Sequence, residues 1–316
     1  MKIALHDNAL SLRGTTVALY DYAYWLKHLY NIECIILYNQ NHRVNNEAVK
    51  HKFTAEFELF GYNNVNEIDS ILSRENCDSF FMIKGGEYDG VISNVCKNLV
   101  MAVSAHISTN NIHGDKFFVC SKWLKDVKGI DYVPHMISLP EVEGDMRNEL
   151  NIPIDAVVLG RNGGHETFDL PFVKNAIRDV VNNREDIYFL FQNTDKFIEH
   201  ERVIFLPPSP DMNEKVRFIN TCDAHLHARE IGESFGLTCG EFSSKNKRVI
   251  TWNGSKEINH IGILGDKGIY YSTQQDIYDI LLNIKQIDSN IDVNCYREYT
   301  PKNVMEIFIK KYEIEI

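Results

Sequence analysis

The chain is 316 residues long, 44% apolar and 24% charged, the composition of a globular protein with room for two ordinary domains. Its formal charge of −11 excludes a general binder of nucleic acid or anionic membrane, which needs a basic surface, and leaves open a local basic pocket for a phosphate. No apolar run reaches the length of a membrane span, and the first residues lead into a strand rather than a signal peptide.

Short apolar runs then alternate with helical patterns. Residues 2–6, 32–38, 80–84, 99–105, 117–120 and 132–134 read as strands of a first domain, and 15–30 as its first crossover helix. In that helix Leu19, Tyr22, Ala23, Leu26, Leu29 and Tyr30 recur at three- and four-residue spacing, and Thr15 and Thr16 are placed to cap its start. The Asn-rich stretch 39–46 reads as a surface loop. A polar connector over 138–155, carrying Pro140, Gly144 and Pro153, marks a domain boundary.

A second alternation follows, with strands at 156–160, 187–192, 203–206, 224–227, 249–252 and 269–271. The helix after the first of these has Asp169 as its cap and Pro171 as its first residue. The pattern predicts an α/β protein of two Rossmann-like βαβ domains, 1–140 and 154–296, facing across a cleft. A final segment, 297–316, carries a helix that packs back over the interdomain region. The seven cysteines are scattered, odd in number and without a CxxC pair, which points to reduced thiols in a cytoplasmic setting.

Several groupings carry chemistry. Glu233 and Glu241 are separated by seven residues across Phe235, Gly236 and Leu237, between a short strand and a helix. Backbone N–H groups of Phe235, Gly236 and Leu237 would open that helix, where a phosphate is welcome, while Glu241 is suited to hold two ribose hydroxyls. The plain alternative makes Glu233 an N-cap and Glu241 a solvated helix residue. Gly160 and Arg161 end the strand that opens the second domain and begin a Gly-rich turn; Arg161 offers a fork for phosphate oxygens, or is a surface side chain. The loop with Arg13, Gly14 and Thr15 lies where ligands bind in open α/β sheets, or is a simple connection. His106, after residues 99–105, either faces a sugar hydroxyl or is structural. Arg229 is a phosphate contact or one half of an ion pair. His225 and His227 alternate on a strand without a third ligand, so no metal site is expected.

Taken in order, these features resemble the retaining GT-B glycosyltransferases of family four. The resemblance rests on Arg13-Gly14-Thr15, the strand-end His106, Phe117 to Ser121, Val133 to Met136, Gly160-Arg161 and the Glu233/Glu241 element with Phe235-Gly236-Leu237, and it spans nearly the whole chain. It implies that Arg161 contacts a donor diphosphate, Glu241 the ribose, and Glu233 the transferred sugar. The amides of Gly236 and Leu237 would meet sugar or phosphate, with His106 and the 13–15 loop completing the site. It implies no bound metal or other cofactor, the nucleotide sugar being a substrate. Two departures stand out: the family's Lys about five residues after the Gly-Arg arginine is Glu166 here, and the usual Pro-Ser before the first Glu is replaced by His227, Ala228 and Arg229.

The leading expectation is a cytoplasmic transferase moving a sugar from a nucleoside-diphosphate donor to a glycan, lipid-linked or protein hydroxyl. The alternative is a catalytically weak nucleotide-sugar-binding accessory subunit, which Glu166 favours. A third, nucleotide-sugar epimerisation, lacks an identifiable set of catalytic acids.

Overall fold

The computed structural model describes residues 1–286 and 291–316, which divide into two units: Met1–Met136 with Glu298–Ile316, and Ile137–Arg297. Each is built on a six-stranded, all-parallel sheet.

The first unit contains β1 (Lys2–His6), α1 (Gly14–Tyr30), β2 (Glu33–Asn39), α2 (Glu47–Thr54), β3 (Glu58–Tyr62), α3 (Ile68–Arg74), β4 (Ser79–Lys84), β5 (Lys97–Ala102), β6 (Lys116–Val119) and α4 (Lys122–Lys128). Its strands run in the order β3-β2-β1-β4-β5-β6. Strands covered on both faces lose the alternation of half-exposed sheets, and β4 is buried at every residue. Leu5 pairs with Ile36 on one side and Phe81 on the other, fixing the register at the centre of the sheet.

Several local expectations are corrected. Residues 132–134 form no strand, only an isolated bridge between Val119 and Tyr132. β5 stops at Ala102, and β3 has no counterpart in the sequence reading. Neither Thr15 nor Thr16 caps α1: Arg13 holds the cap position without a side-chain bond, and the Thr16 hydroxyl donates to Asp7 at 2.9 Å. A buried carboxylate outcompeted the helix end for that hydroxyl.

The second unit contains β7 (Val157–Asn162), α5 (Pro171–Asn183), β8 (Ile187–Gln192), β9 (Val203–Leu206), α6 (Met212–Thr221), β10 (Ala224–Leu226), β11 (Gly232–Glu233), α7 (Leu237–Ser244), β12 (Arg248–Trp252), β13 (Glu257–Ile258), α8 (Asn259–Leu264), β14 (Ile269–Tyr271) and α9 (Gln274–Asn283). The large sheet has the order β14-β12-β10-β7-β8-β9, and β11 pairs with β13 apart from it. α5 lays Val173, Ala176, Ile177, Val180 and Val181 into a core shared with Phe189 and Ile250 of this sheet and Leu281 of α9. Pro171 is its first residue, as expected, but Asp169 is not its cap. Leu170 holds that position, and Asp169 instead accepts from the Glu230 backbone N–H at 2.7 Å. The connector over 138–155 packs within this unit: Arg147 donates to the carbonyls of Pro153 and Ala156 at 3.0 and 2.9 Å and pairs with Asp223 at 3.1 Å.

The last helix, α10 (Pro301–Tyr312), belongs to the first unit. It buries Phe308 and Tyr312 against Tyr22 and Phe81, with ring centroids of Phe308 at 4.9 and 5.0 Å from theirs. Among the described residues no helix is long and apolar enough to cross a membrane, and all seven cysteines are free thiols.

Candidate functional site

In the second unit the chain leaves β7 for β8 and β9 on one side, then returns to the other side for β10, β12 and β14. The carboxyl ends of β7 and β10 flank the point where strand order reverses, which is where open parallel sheets hold ligands. Arg161 lies at the end of β7; His227, Arg229 and Glu233 follow β10.

A tight turn brings these last side chains together. The Gly232 N–H donates to the Arg229 carbonyl at 3.2 Å, and Gly232 adopts φ +80°. A Cβ there would stand 2.1 Å from the Glu257 carbonyl oxygen, so the pairing of β11 with β13 requires glycine. The turn places Glu233 Oε1 3.2 Å from His227 Nε2 and 3.2 Å from an Arg229 guanidinium nitrogen. Burial alone would raise the Glu233 carboxyl, but the His227 hydrogen bond and the Arg229 charge outweigh it and hold the group at about 2. An ionised carboxylate only accepts, so His227 Nε2 carries the proton between them.

Behind His227 runs a buried polar chain. Its Nδ1 lies 2.8 Å from the Thr251 hydroxyl on β12, which lies 3.0 Å from His260 Nε2 on α8. Burial, with the neighbouring His227, pushes His260 down to about 3. His225 donates from Nδ1 to the Gly160 carbonyl at 3.0 Å and stacks on Phe242 at 4.4 Å; burial pushes it well down too. Gly160 therefore serves the sheet interior through its carbonyl.

Gly236, at φ +93°, caps α7, and Leu237 is the first helical residue. Phe235, just before the cap, turns its side chain inward. Its ring meets Tyr296 edge-on at 6.0 Å, and its carbonyl accepts from Asn259 at 3.0 Å. Glu241 stands in the second turn of α7, 4% exposed, with Oε1 2.8 Å from the Lys215 ammonium on α6. Glu233 is thus not an N-cap and Glu241 is not solvated, so the plain alternative for this pair does not describe the molecule.

Arg161 is 3% exposed, and its two terminal nitrogens donate to four protein acceptors. These are the Asn193 carbonyl at 3.0 Å, the Thr194 hydroxyl at 2.5 Å, the Gly164 carbonyl at 2.6 Å and the Thr167 hydroxyl at 2.5 Å. The side chain clamps the turn after β7 to the end of β8, and burial, with Arg229 nearby, lowers its pKa to about 10. Glu166 is exposed, and His165 beside it meets Asp195 at 2.9 Å. In the first unit Arg13 and Gly14 are exposed at the start of α1, with Thr15 beside them half-buried. His106 is exposed in the loop beyond β5, not at a strand end, its backbone N–H donating to the Ser104 hydroxyl at 3.1 Å. Among the described residues no three His, Cys, Asp or Glu side chains gather as metal ligands. Lys215, Thr251 and His260 were missed because their partners lie on other elements, and no spacing in the chain announces them.

The buried histidines make stability acid-sensitive. His6, 2.8 Å from the Tyr62 hydroxyl, is pushed to about 3 by burial and by Lys84; burial takes His135 to about 4 and His260 to about 3, from the ordinary 6.5. Each is neutral in the folded state, so the unfolded chain binds more protons below the ordinary value. Stability is therefore full at neutral pH and falls as pH drops from 6.5 toward 4. Each ring contributes at most roughly 1.4 kcal/mol per pH unit. Urea midpoints should be clearly lower near pH 5 than near pH 7.5; equal midpoints would mean that these rings are solvated.

No protein-family model and no curated protein matches the chain in sequence. Solved structures match over its whole length. Anabaena HepE, in complex with UDP and glucose, superposes with a TM-score of 0.70 at 12% identity, covering 98% of this chain and 95% of that one. A glycosyltransferase from Rickettsia africae gives 0.67 at 13% identity, covering 99% and 97%. A candidate UDP-N-acetylglucosamine 2-epimerase from Listeria monocytogenes gives 0.63 at 14% identity, covering 100% and 97%. The likeness shows the fold, the two-domain GT-B architecture expected from the sequence.

Proposed function

We propose that the protein is a glycosyltransferase that takes a sugar from a nucleoside-diphosphate donor and moves it, with retention of configuration, to a hydroxyl of a glycan, lipid-linked or protein acceptor. The observation that carries the reading is the pair of carboxylates bracketing a glycine-capped helix start where strand order reverses. Glu241, kept in place by Lys215, is suited to accept both ribose hydroxyls. The amides at Gly236 and Leu237 and the dipole of α7 favour a diphosphate, so the departing nucleotide is stabilised by the helix start and cations rather than a metal ion. Phe235 supports that turn from below. Glu233, ionised at any working pH, can accept sugar hydroxyls and stabilise positive charge developing at the anomeric carbon; it is too acidic to serve as the proton donor. Gly160 and Arg161 shape the neighbouring turn. In the first unit Arg13, Gly14, Thr15 and His106 are the residues to test for a share in the reaction. Uracil is the first base to try, since structures of the same fold hold UDP. Seven free thiols suit a reducing, cytoplasmic setting.

A thermal-shift panel of nucleoside diphosphates and their sugars, with and without EDTA, tests this. A ligand at a hundredfold excess over Kd stabilises by about 2.7 kcal/mol. One diphosphate series should stabilise the wild type with or without EDTA and fail on Glu241→Ala. The commitment of Arg161 to protein acceptors favours the accessory-subunit reading as an alternative, which predicts binding without any turnover of the donor.

A further inference from the structure

A donor diphosphate needs cationic side chains, and most cations around this sheet edge are already engaged. Arg161 is buried with both terminal nitrogens spent, Lys215 is held by Glu241, and Lys174 lies over the Phe197 ring at 5.6 Å. The position where a second phosphate-binding Lys was expected is Glu166. Arg229 is different. Its side chain is 29% exposed, and the contact it makes with Glu233, at 3.2 Å, joins it to a carboxylate that His227 also holds. Both charges sit on one rigid turn, closed by the Gly232 N–H on the Arg229 carbonyl and by the Ser255 hydroxyl on the same carbonyl at 3.2 Å.

Resting on the donor-site reading above, we infer that Arg229 is the side chain that receives the diphosphate, and that in doing so it releases Glu233 to the sugar. A carboxylate and a diphosphate compete for one guanidinium fork, and the ligand with more charge and more acceptor oxygens wins. His227 and Arg229 meet the same oxygen, Glu233 Oε1, so when Arg229 leaves, that oxygen keeps the His227 bond that orients it and regains one acceptor position for a sugar hydroxyl. Phosphate binding and sugar engagement are thereby coupled: without a diphosphate, the carboxylate remains latched.

The coupling predicts opposite signs at the two ends of the latch. Calorimetric titration of the full chain with UDP, GDP, ADP and dTDP, and with the nucleoside of whichever binds, reads them. Arg229→Gln should weaken the diphosphate about 10- to 100-fold, the range of hydrogen bonds to charged groups, and leave the nucleoside unchanged. Glu233→Gln, which removes the competitor, should tighten the diphosphate by about 3-fold or more, the scale of a partly exposed ion pair. Arg229→Lys, which keeps the charge and loses the fork, should fall between wild type and Arg229→Gln. Unchanged diphosphate affinity in Arg229→Gln overturns the inference, as does weaker binding in Glu233→Gln. If wild type binds one of the four and Arg229→Gln binds it equally, the inference alone fails; if wild type binds none, the donor-site reading fails and takes the inference with it.

Discussion

Glu241→Ala is expected to raise the donor KM by about 100-fold or more, while Glu233→Ala mainly lowers kcat. The difference follows from the two settings. If Glu241 accepts two ribose hydroxyls, it binds a part of the donor that does not change during reaction, so its loss weakens ground and transition states alike. Two charge-assisted hydrogen bonds together account for a change on that scale. Glu233 acts where charge develops, so its removal should appear in the chemical step. The alanine at 241 carries a second consequence, because Lys215 then keeps a largely buried ammonium with no partner at 2.8 Å. Glu241→Gln separates the two effects: it should raise the KM as well, with a smaller loss of stability. Steady-state kinetics with varied donor, alongside melting curves, reads both. Equal and small effects at both positions would remove the assignment of the pair.

Gly232→Ala should be among the most damaging single-methyl changes in the chain. The left-handed backbone there costs a non-glycine residue about 1–2 kcal/mol, and overpacking adds about 1–3 kcal/mol more. The new Cβ meets backbone, the Glu257 carbonyl at 2.1 Å, and backbone cannot swing aside as a side chain would. Relief requires β11 to part from β13, which carries Glu233 away from His227 and Arg229. The expected result is lower urea resistance together with loss of transfer beyond what the folded fraction explains. A variant with wild-type activity and stability would mean that the turn has another low-energy form.

The sequence was readable wherever the physics is local and periodic. Continuous apolar runs announced nearly every strand of both large sheets, because strands buried on two faces need little else. β3 escaped because Gly61 interrupts a short half-buried run, and β11 because two residues form no pattern. Caps were misassigned for a related reason: Thr16 and Asp169 have cap-forming side chains, but tertiary partners, Asp7 and the Glu230 amide, claimed them. At the candidate site the spacing of Glu233 and Glu241 was visible, and their environments were not. Nothing in the order of residues says that Lys215 meets Glu241, that Thr251 bridges His227 and His260, or that Arg161 would be enclosed by Asn193, Thr194, Gly164 and Thr167. These are contacts between elements far apart along the chain, decided by packing.

The placement of α10 with the first unit sets an order for synthesis. The second unit is one uninterrupted stretch of chain, so everything it needs is available once residue 297 has been made. The first unit begins earlier and finishes later, for the layer that covers Tyr22 and Phe81 comes from Phe308 and Tyr312. On the ribosome the half of the molecule made first must therefore wait, with an aromatic patch uncovered, until the half made second has already been completed. That interval is when the nascent chain is most exposed to aggregation and has most use for a chaperone.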